Sequence, residues 1–141
     1  MAIFFHEEQI KYGLKGRQAI KSWLKYVLEK EKKNTGSINI ILTTDENLRE
    51  INRKYLSRDY YTDIIAFDYS QGQTVSGDLY ISIHRVQENA KKYGGGDRKE
   101  LMRVMVHGLL HLIGYEDSDE MERKKMRKME DMYLDVLGRA D

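Results

Sequence analysis

The chain has no cysteine and no proline among its 141 residues. Without cysteine there is no disulfide frame and no thiolate ligand, so any zinc must rest on nitrogen and oxygen. The same absence fits a cytoplasmic home. Without proline, no turn is stiffened by a pyrrolidine ring. No apolar run reaches the length of a membrane span. The opening stretch, Met1-Ala2-Ile3-Phe4-Phe5-His6-Glu7-Glu8, turns acidic too early for a signal peptide. Net charge is nearly absent as well, at +1, and by itself says nothing about nucleic acid. No repeat, low-complexity tract or linker divides the sequence, so residues 1–141 are expected to form a single domain.

What is present is an apolar fraction of 40% against 33% charged residues, enough for one hydrophobic core under a wet surface. Ile3-Phe4-Phe5 is a short strand candidate. Ile20, Trp23, Leu24, Val27 and Leu28 recur at helical spacing within a helix expected from Arg17 to Glu31. Ile38 to Leu42 reads as a strand. It ends at Thr43, which with Glu46 forms a capping box for a helix carrying Leu48, Ile51 and Tyr55. Thr62 to Tyr69 is the next strand, Gln71-Gly72-Gln73 a turn, and Gly77 to Ile83 another strand. A helix follows from His84 to Tyr93, Gly94-Gly95-Gly96 breaks it, and Asp97 is expected to cap the helix after it. A last helix from Ser118 aligns Met126, Met129, Tyr133, Val136 and Leu137 on a core-facing side. The pattern predicts an α+β domain, a single mixed β-sheet packed with helices.

Charge is patterned even though it sums to little. Lys11, Lys15, Arg17, Lys21, Lys25, Lys30, Lys32 and Lys33 face only Glu29 and Glu31 over the same stretch, which is a solvated helix or a phosphate-facing surface. The C-terminal helix mixes both signs and reads as solvated.

One stretch carries chemistry: His107-Gly108-Leu109-Leu110-His111-Leu112-Ile113-Gly114-Tyr115-Glu116-Asp117. Histidines four apart on a helix share a face, so both imidazoles can reach one metal ion. Gly114 permits a sharp exit from the helix, and Asp117 can return as the third ligand. Three protein ligands leave a fourth position open, as in a catalytic zinc site. The helix is otherwise apolar, through Leu101, Met102, Val104, Met105, Val106, Leu109, Leu110 and Leu112, and is therefore expected to be buried. Buried histidines need partners, and a metal supplies them. His6 and His84 have no partner at ligand spacing and read as ordinary.

The spacing His-x-x-x-His-x-x-Gly-x-x-Asp is the metal frame of metzincin proteases, which need a glutamate beside the first histidine as general base. Gly108 stands there and cannot move a proton, so peptide hydrolysis is not expected unless Asp63 or Glu116 substitutes. The same eleven residues resemble the signature HGxLHLxGYDH of the endoribonuclease YbeY family of rRNA maturation factors. Leu48 to Phe67 is similar to that family's LNxxYRxxDxPTDVLSF, and Gly77 to Ser82 to its GDIxIS. The resemblance implies a zincin-like α+β fold and one zinc per chain on His107, His111 and Asp117. It also implies metal-dependent cleavage of single-stranded RNA, a role in 16S rRNA 3′-end processing and ribosome quality control, and contact with the ribosome or its proteins.

Three departures stand out. Asp117 replaces the family's third histidine and lowers the net charge of the site by one. Leu56 replaces an arginine that would contact phosphate, and Arg58 is the nearest residue to take over that contact. Tyr61 replaces the proline before Thr62-Asp63. Tyr55, Tyr60 and Tyr61 are candidates to stack on unpaired bases or to pack. Two other classes stay open: a non-catalytic, zinc-containing assembly factor that binds RNA, favoured by Leu56, and a metal-dependent peptidase or esterase, opposed by Gly108.

Overall fold

The computed structural model describes residues 2–140. In chain order its elements are β1 (Ala2–Glu7), α1 (Arg17–Lys30), β2 (Asn34–Thr43), α2 (Asp45–Leu56), β3 (Ile64–Asp68), β4 (Thr74–Ser82), α3 (Ile83–Tyr93), α4 (Asp97–Ile113) and α5 (Glu120–Ala140). The strands form one sheet in the order β1-β2-β4-β3. β1 and β4 both run parallel to β2, whereas β3 pairs antiparallel with β4. Parallel neighbours require long crossovers. α1 supplies the first, and α2 with β3 fills the second. The mixed α+β sheet expected from the sequence is therefore present.

Period-two burial explains which face is which. Ile38, Ile40 and Leu42 of β2 and Val75, Leu79 and Ile81 of β4 are buried together with the apolar stripes of α1 and α4. The α1 stripe is the one the spacing indicates: Ile20, Trp23, Leu24, Val27 and Leu28. α2 contacts β3 and β4, and its Tyr55 meets Phe67 of β3 edge-on at 6.0 Å. α5 lies across α4 and is tied to α1. The Trp23 indole N–H donates to the Tyr133 carbonyl at 2.8 Å. Glu31, the residue that ends α1, accepts from the hydroxyls of both Tyr115 and Tyr133. Burial first, and then that carboxylate, push the Tyr115 hydroxyl up to about 12.

Several helix starts differ from expectation by one residue, and α5 begins at Glu120, two residues after the expected Ser118. Thr44, not Thr43, caps α2, its hydroxyl accepting from the Asn47 N–H at 3.1 Å. Thr43 still belongs to β2 and gives its hydroxyl proton to the Glu8 carbonyl, so the Thr43–Glu46 box does not form. Asp97 is the first residue of α4 and not its cap. Gly96 precedes it with φ 87°, and Asp97 helps through its charge in the first turn. β2 begins four residues earlier than its apolar run, and β3 is shorter than Thr62–Tyr69. Ile83 opens α3 behind a Ser82 cap. Where the polar ends of these strands pair with a neighbour, hydrogen bonding and not apolar alternation sets the boundary.

Candidate metal centre

The centre is built on α4. Its apolar side chains are buried against the sheet, as expected, but the two histidines are not sealed in with them. His107 and His111 keep 26% and 28% of their side-chain surface exposed and face a cleft. Gly114 ends the helix at φ 123°, a value that L side chains rarely adopt. The chain then turns back and delivers Asp117.

The three ligand atoms converge. His107 Nε2 and His111 Nε2 are 3.2 Å apart. Asp117 Oδ2 lies 3.4 Å from the first and 3.2 Å from the second. Atoms bound to one tetrahedral zinc at ordinary bond lengths lie about 3.3–3.4 Å from one another. The donor set and its spacing therefore fit a metal ion. His107, His111 and Asp117 are the group able to hold one among the described residues. Glu116 is exposed. Asp119 caps α5, accepting from the Glu122 N–H at 2.7 Å.

Glu130 is the residue that sequence reasoning missed. It is 4% exposed on α5, and its Oε2 sits 2.6 Å from His107 Nδ1. With Nδ1–H given to Glu130, His107 Nε2 is left with its lone pair toward the other two ligand atoms. A histidine ligand is commonly oriented in this way. Arg103 holds Glu130 from the other side at 2.9 Å and reaches Asp131 at 2.7 Å. Burial works against the His107 imidazolium, but Glu130, Asp117 and Asp63 outweigh it and raise its affinity for a proton. The signal was in the sequence. Glu130 falls between Met126 and Tyr133 on the buried stripe, where an unpaired charge would be costly.

The cleft is a cavity of ≈ 530 Å³ lined by the triad, Leu56, Arg58, Tyr60, Asp63 and Asp68 among others. Arg58 thus shares the cavity with the triad. Its guanidinium is 3.4 Å from the Tyr60 hydroxyl. Its loop is pinned by a second buried polar residue that the sequence reading passed over, Asn52, which is 2% exposed. The Asn52 side chain donates to the Tyr60 carbonyl at 3.1 Å, and the Arg58 N–H donates to the Asn52 carbonyl at 3.2 Å. Arg49 and Asp59 pair at 2.8 Å alongside. Of the three tyrosines considered for stacking, Tyr60 alone lines the cavity. Tyr55 packs on Phe67, and the guanidiniums of Arg49 and Arg85 lie 5.0 and 4.9 Å from the centre of the Tyr61 ring.

Asp63 enters the cavity wall from the start of β3. Burial raises its carboxyl pKa, against the pull of His107. At Gly108, in the protease-base position, a side chain would have to displace the ends of Ile64 and Leu79. A Cβ there would lie 2.5 Å from Ile64 Cδ1 and 3.0 Å from Leu79 Cδ2. That face of α4 is pressed onto the sheet. His6 bonds to Asn39, and His84 Nδ1 accepts from the Asp45 N–H, as expected of ordinary histidines. No helix of the described residues is long and apolar enough to cross a membrane.

Comparison with known proteins agrees along nearly the whole chain. The family model for endoribonuclease YbeY matches residues 3–138. A protein of that name from Parabacteroides distasonis is 42% identical over 137 residues, covering 97% of this chain and 96% of its own. Another from Cytophaga hutchinsonii is 44% identical over 135 residues, covering 95% and 94%. The solution structure of a Thermotoga maritima protein superposes with a TM-score of 0.67. It is 26% identical and covers 96% of this chain and 88% of its own.

Proposed function

The chain belongs to the endoribonuclease YbeY family, and from that premise we propose that it is a zinc-dependent endoribonuclease acting on single-stranded RNA. Residues 1–141 act as a single domain with one zinc on His107, His111 and Asp117. The setting is cytoplasmic, with 16S rRNA as substrate during 3′-end maturation and ribosome quality control, and with the ribosome or its proteins as partners. The observation that carries the reading is a ligand triad spaced at 3.2–3.4 Å on the wall of an open cavity that Arg58 also lines.

When bound, the ion supplies a Lewis acid for a phosphodiester. The chain's own residues do the rest. Glu130 keeps the Nδ1 proton of His107 and so leaves Nε2 free to bind. The Arg58 guanidinium holds a non-bridging phosphate oxygen and stabilises the charge that grows on it. Asp63 takes the proton of the attacking hydroxyl at its carboxylate. Tyr60 offers a ring to a neighbouring base. Gly108 supplies no side chain at the position of the protease base, which argues against the peptidase or esterase reading. A non-catalytic RNA-binding factor is the second reading, and Leu56 in the cavity wall is the observation that favours it.

Purified zinc-loaded protein incubated with labelled single-stranded RNA, duplex RNA and casein, beside a chelated control, separates these readings. The expected result is chelator-sensitive cutting of the single strand only. Binding without cutting would establish the second reading. Casein cleavage lost in His107→Ala would establish the peptidase.

A further inference from the structure

The triad does not close off a blind pocket. It lies between two cavities. Asp63, His107 and Asp117 line both the Arg58 cavity and a second one of ≈ 350 Å³, bordered by α5, α4 and the end of α3. A cut inside a strand leaves product on both sides of the broken bond, so a site that makes such cuts must admit chain from both directions. We infer that the second cavity is a subsite for the RNA backbone on the far side of the scissile phosphate, with Arg123 and Arg127 as its cations. This rests on the reading of the chain as an RNA-cutting enzyme.

The arginines in this cavity are not equivalent. Arg103 is 14% exposed, with both terminal nitrogens committed to Glu130 and Asp131. Arg127 makes no hydrogen bond or ion pair among the described residues, and it lines the cavity from the exposed side of α5. The Arg123 guanidinium has one long contact, 3.5 Å to the carbonyl of Asp117 itself, which sets it at the edge of the triad. Arg123 and Arg127 are four apart on a helix and so share a face. They can take one phosphate together or two in succession. The lining acids match them in number and no more. Asp117 belongs to the triad and Glu130 to His107 and Arg103, which leaves Asp63 and Glu100 against Arg123 and Arg127, and a divalent ion held by the triad would tip the balance to positive. Tyr93, 66% exposed at the rim, offers a ring for the next base.

The test measures binding apart from cutting. A 2′-O-methyl-substituted single-stranded RNA, checked on a gel to be intact after each titration, is titrated by fluorescence anisotropy across a salt series. Each phosphate contact on a single strand contributes about 0.7 to the slope of log affinity against log salt. For the zinc-loaded Arg123→Ala/Arg127→Ala protein the slope is expected to fall relative to wild type by about 0.7 if the pair shares one phosphate and by about 1.4 if it takes two. The control is Lys124→Ala/Lys128→Ala, which removes the same charge from the same helix outside the cavity lining. It is expected to keep the wild-type slope. If the alanine pair fails to fold, Arg123→Gln/Arg127→Gln removes the charges with less loss of packing. Equal slopes in wild type and the arginine variant would overturn the subsite while leaving the cutting activity untouched. Wild type that binds with the full slope yet cuts no cleavable RNA would overturn the proposed function and leave the subsite standing. A wild type that binds no RNA overturns both.

Discussion

Two segments meet at the cleft and are held there by different means. The segment from His107 to Asp117 is local. One helix and one turn carry all three candidate ligands, and eight buried apolar residues of α4, three of them within the segment, anchor it in the core. The loop from Ser57 to Asp63 is mostly exposed and carries Arg58. It is held at a distance, by the buried amide of Asn52 and by the Arg49–Asp59 pair. The first segment is fixed by its own spacing, the second by what it is tied to. The proposed metal and phosphate contacts are therefore expected to be separable by mutation.

The largest effect should come from breaking the local segment. His111→Ala is expected to take zinc from one ion per chain to almost none and to abolish RNA cleavage, read by elemental analysis and a gel assay. Equal zinc in variant and wild type would remove the metal assignment.

Arg58→Ala strikes the other segment. It should keep its zinc and its fold while cleavage falls by about two to three orders of magnitude, the usual cost of one preorganised donor. Leu56→Arg should be tolerated or mildly activating. Unchanged cleavage by Arg58→Ala at matched zinc content would place the phosphate contact elsewhere, with the basic helix around Lys21 and Lys25 the next place to look.

Glu130→Gln is an intermediate case, since it acts on the metal segment from a remote helix. A competition titration against a chelator should show zinc affinity lower by about 10–100-fold. The amide can still accept from His107 but no longer balances Arg103. Unaltered affinity would reduce Glu130 to a packing residue.

The smallest effect concerns a third loop, which is held by charge. The Glu7 carboxylate accepts from the N–H groups of Tyr12, Gly13 and Leu14 and pairs with Arg17. Burial alone would raise its pKa, but these donors outweigh it and leave the pKa lowered. A lowered folded-state pKa contributes stability above the unfolded value and loses it as pH falls through the folded one. Wild type should exceed Glu7→Gln by about 1 kcal/mol at neutral pH in urea unfolding. The gap should shrink below the ordinary carboxylate range. The Asn52 clamp does not titrate, so Asn52→Ala should cost the same at both pH values. A Glu7 gap that holds constant into acid would show that the carboxylate charge is irrelevant.

The difference between the two segments also explains what could be read in advance. The convergence of His107, His111 and Asp117, the α1 stripe and the mixed sheet were legible because periodicity and spacing are local. Helix caps were misplaced by one residue because Thr43 and Thr44 compete for the same role, and strand pairing decides between them. Glu130 and Asn52 were overlooked for a different reason. Each is a polar residue on a core-facing position, at i+4 from Met126 and from Leu48. Their partners lie 23 residues away at His107 and 8 away at Tyr60, and helical spacing does not reveal such partners. Tyr61 is similar, since Arg49 and Arg85 come to its ring only when the fold is complete.

The bond between Glu130 and His107 also bears on timing during synthesis. A growing chain that has emerged only as far as Asp119 already carries the three ligands, yet it lacks the carboxylate that orients the first of them. It also lacks Tyr133, which ties α5 to α1 through Trp23 and Glu31. Nascent chains fold from the N-terminal side as they appear, so the site is completed only when α5 docks.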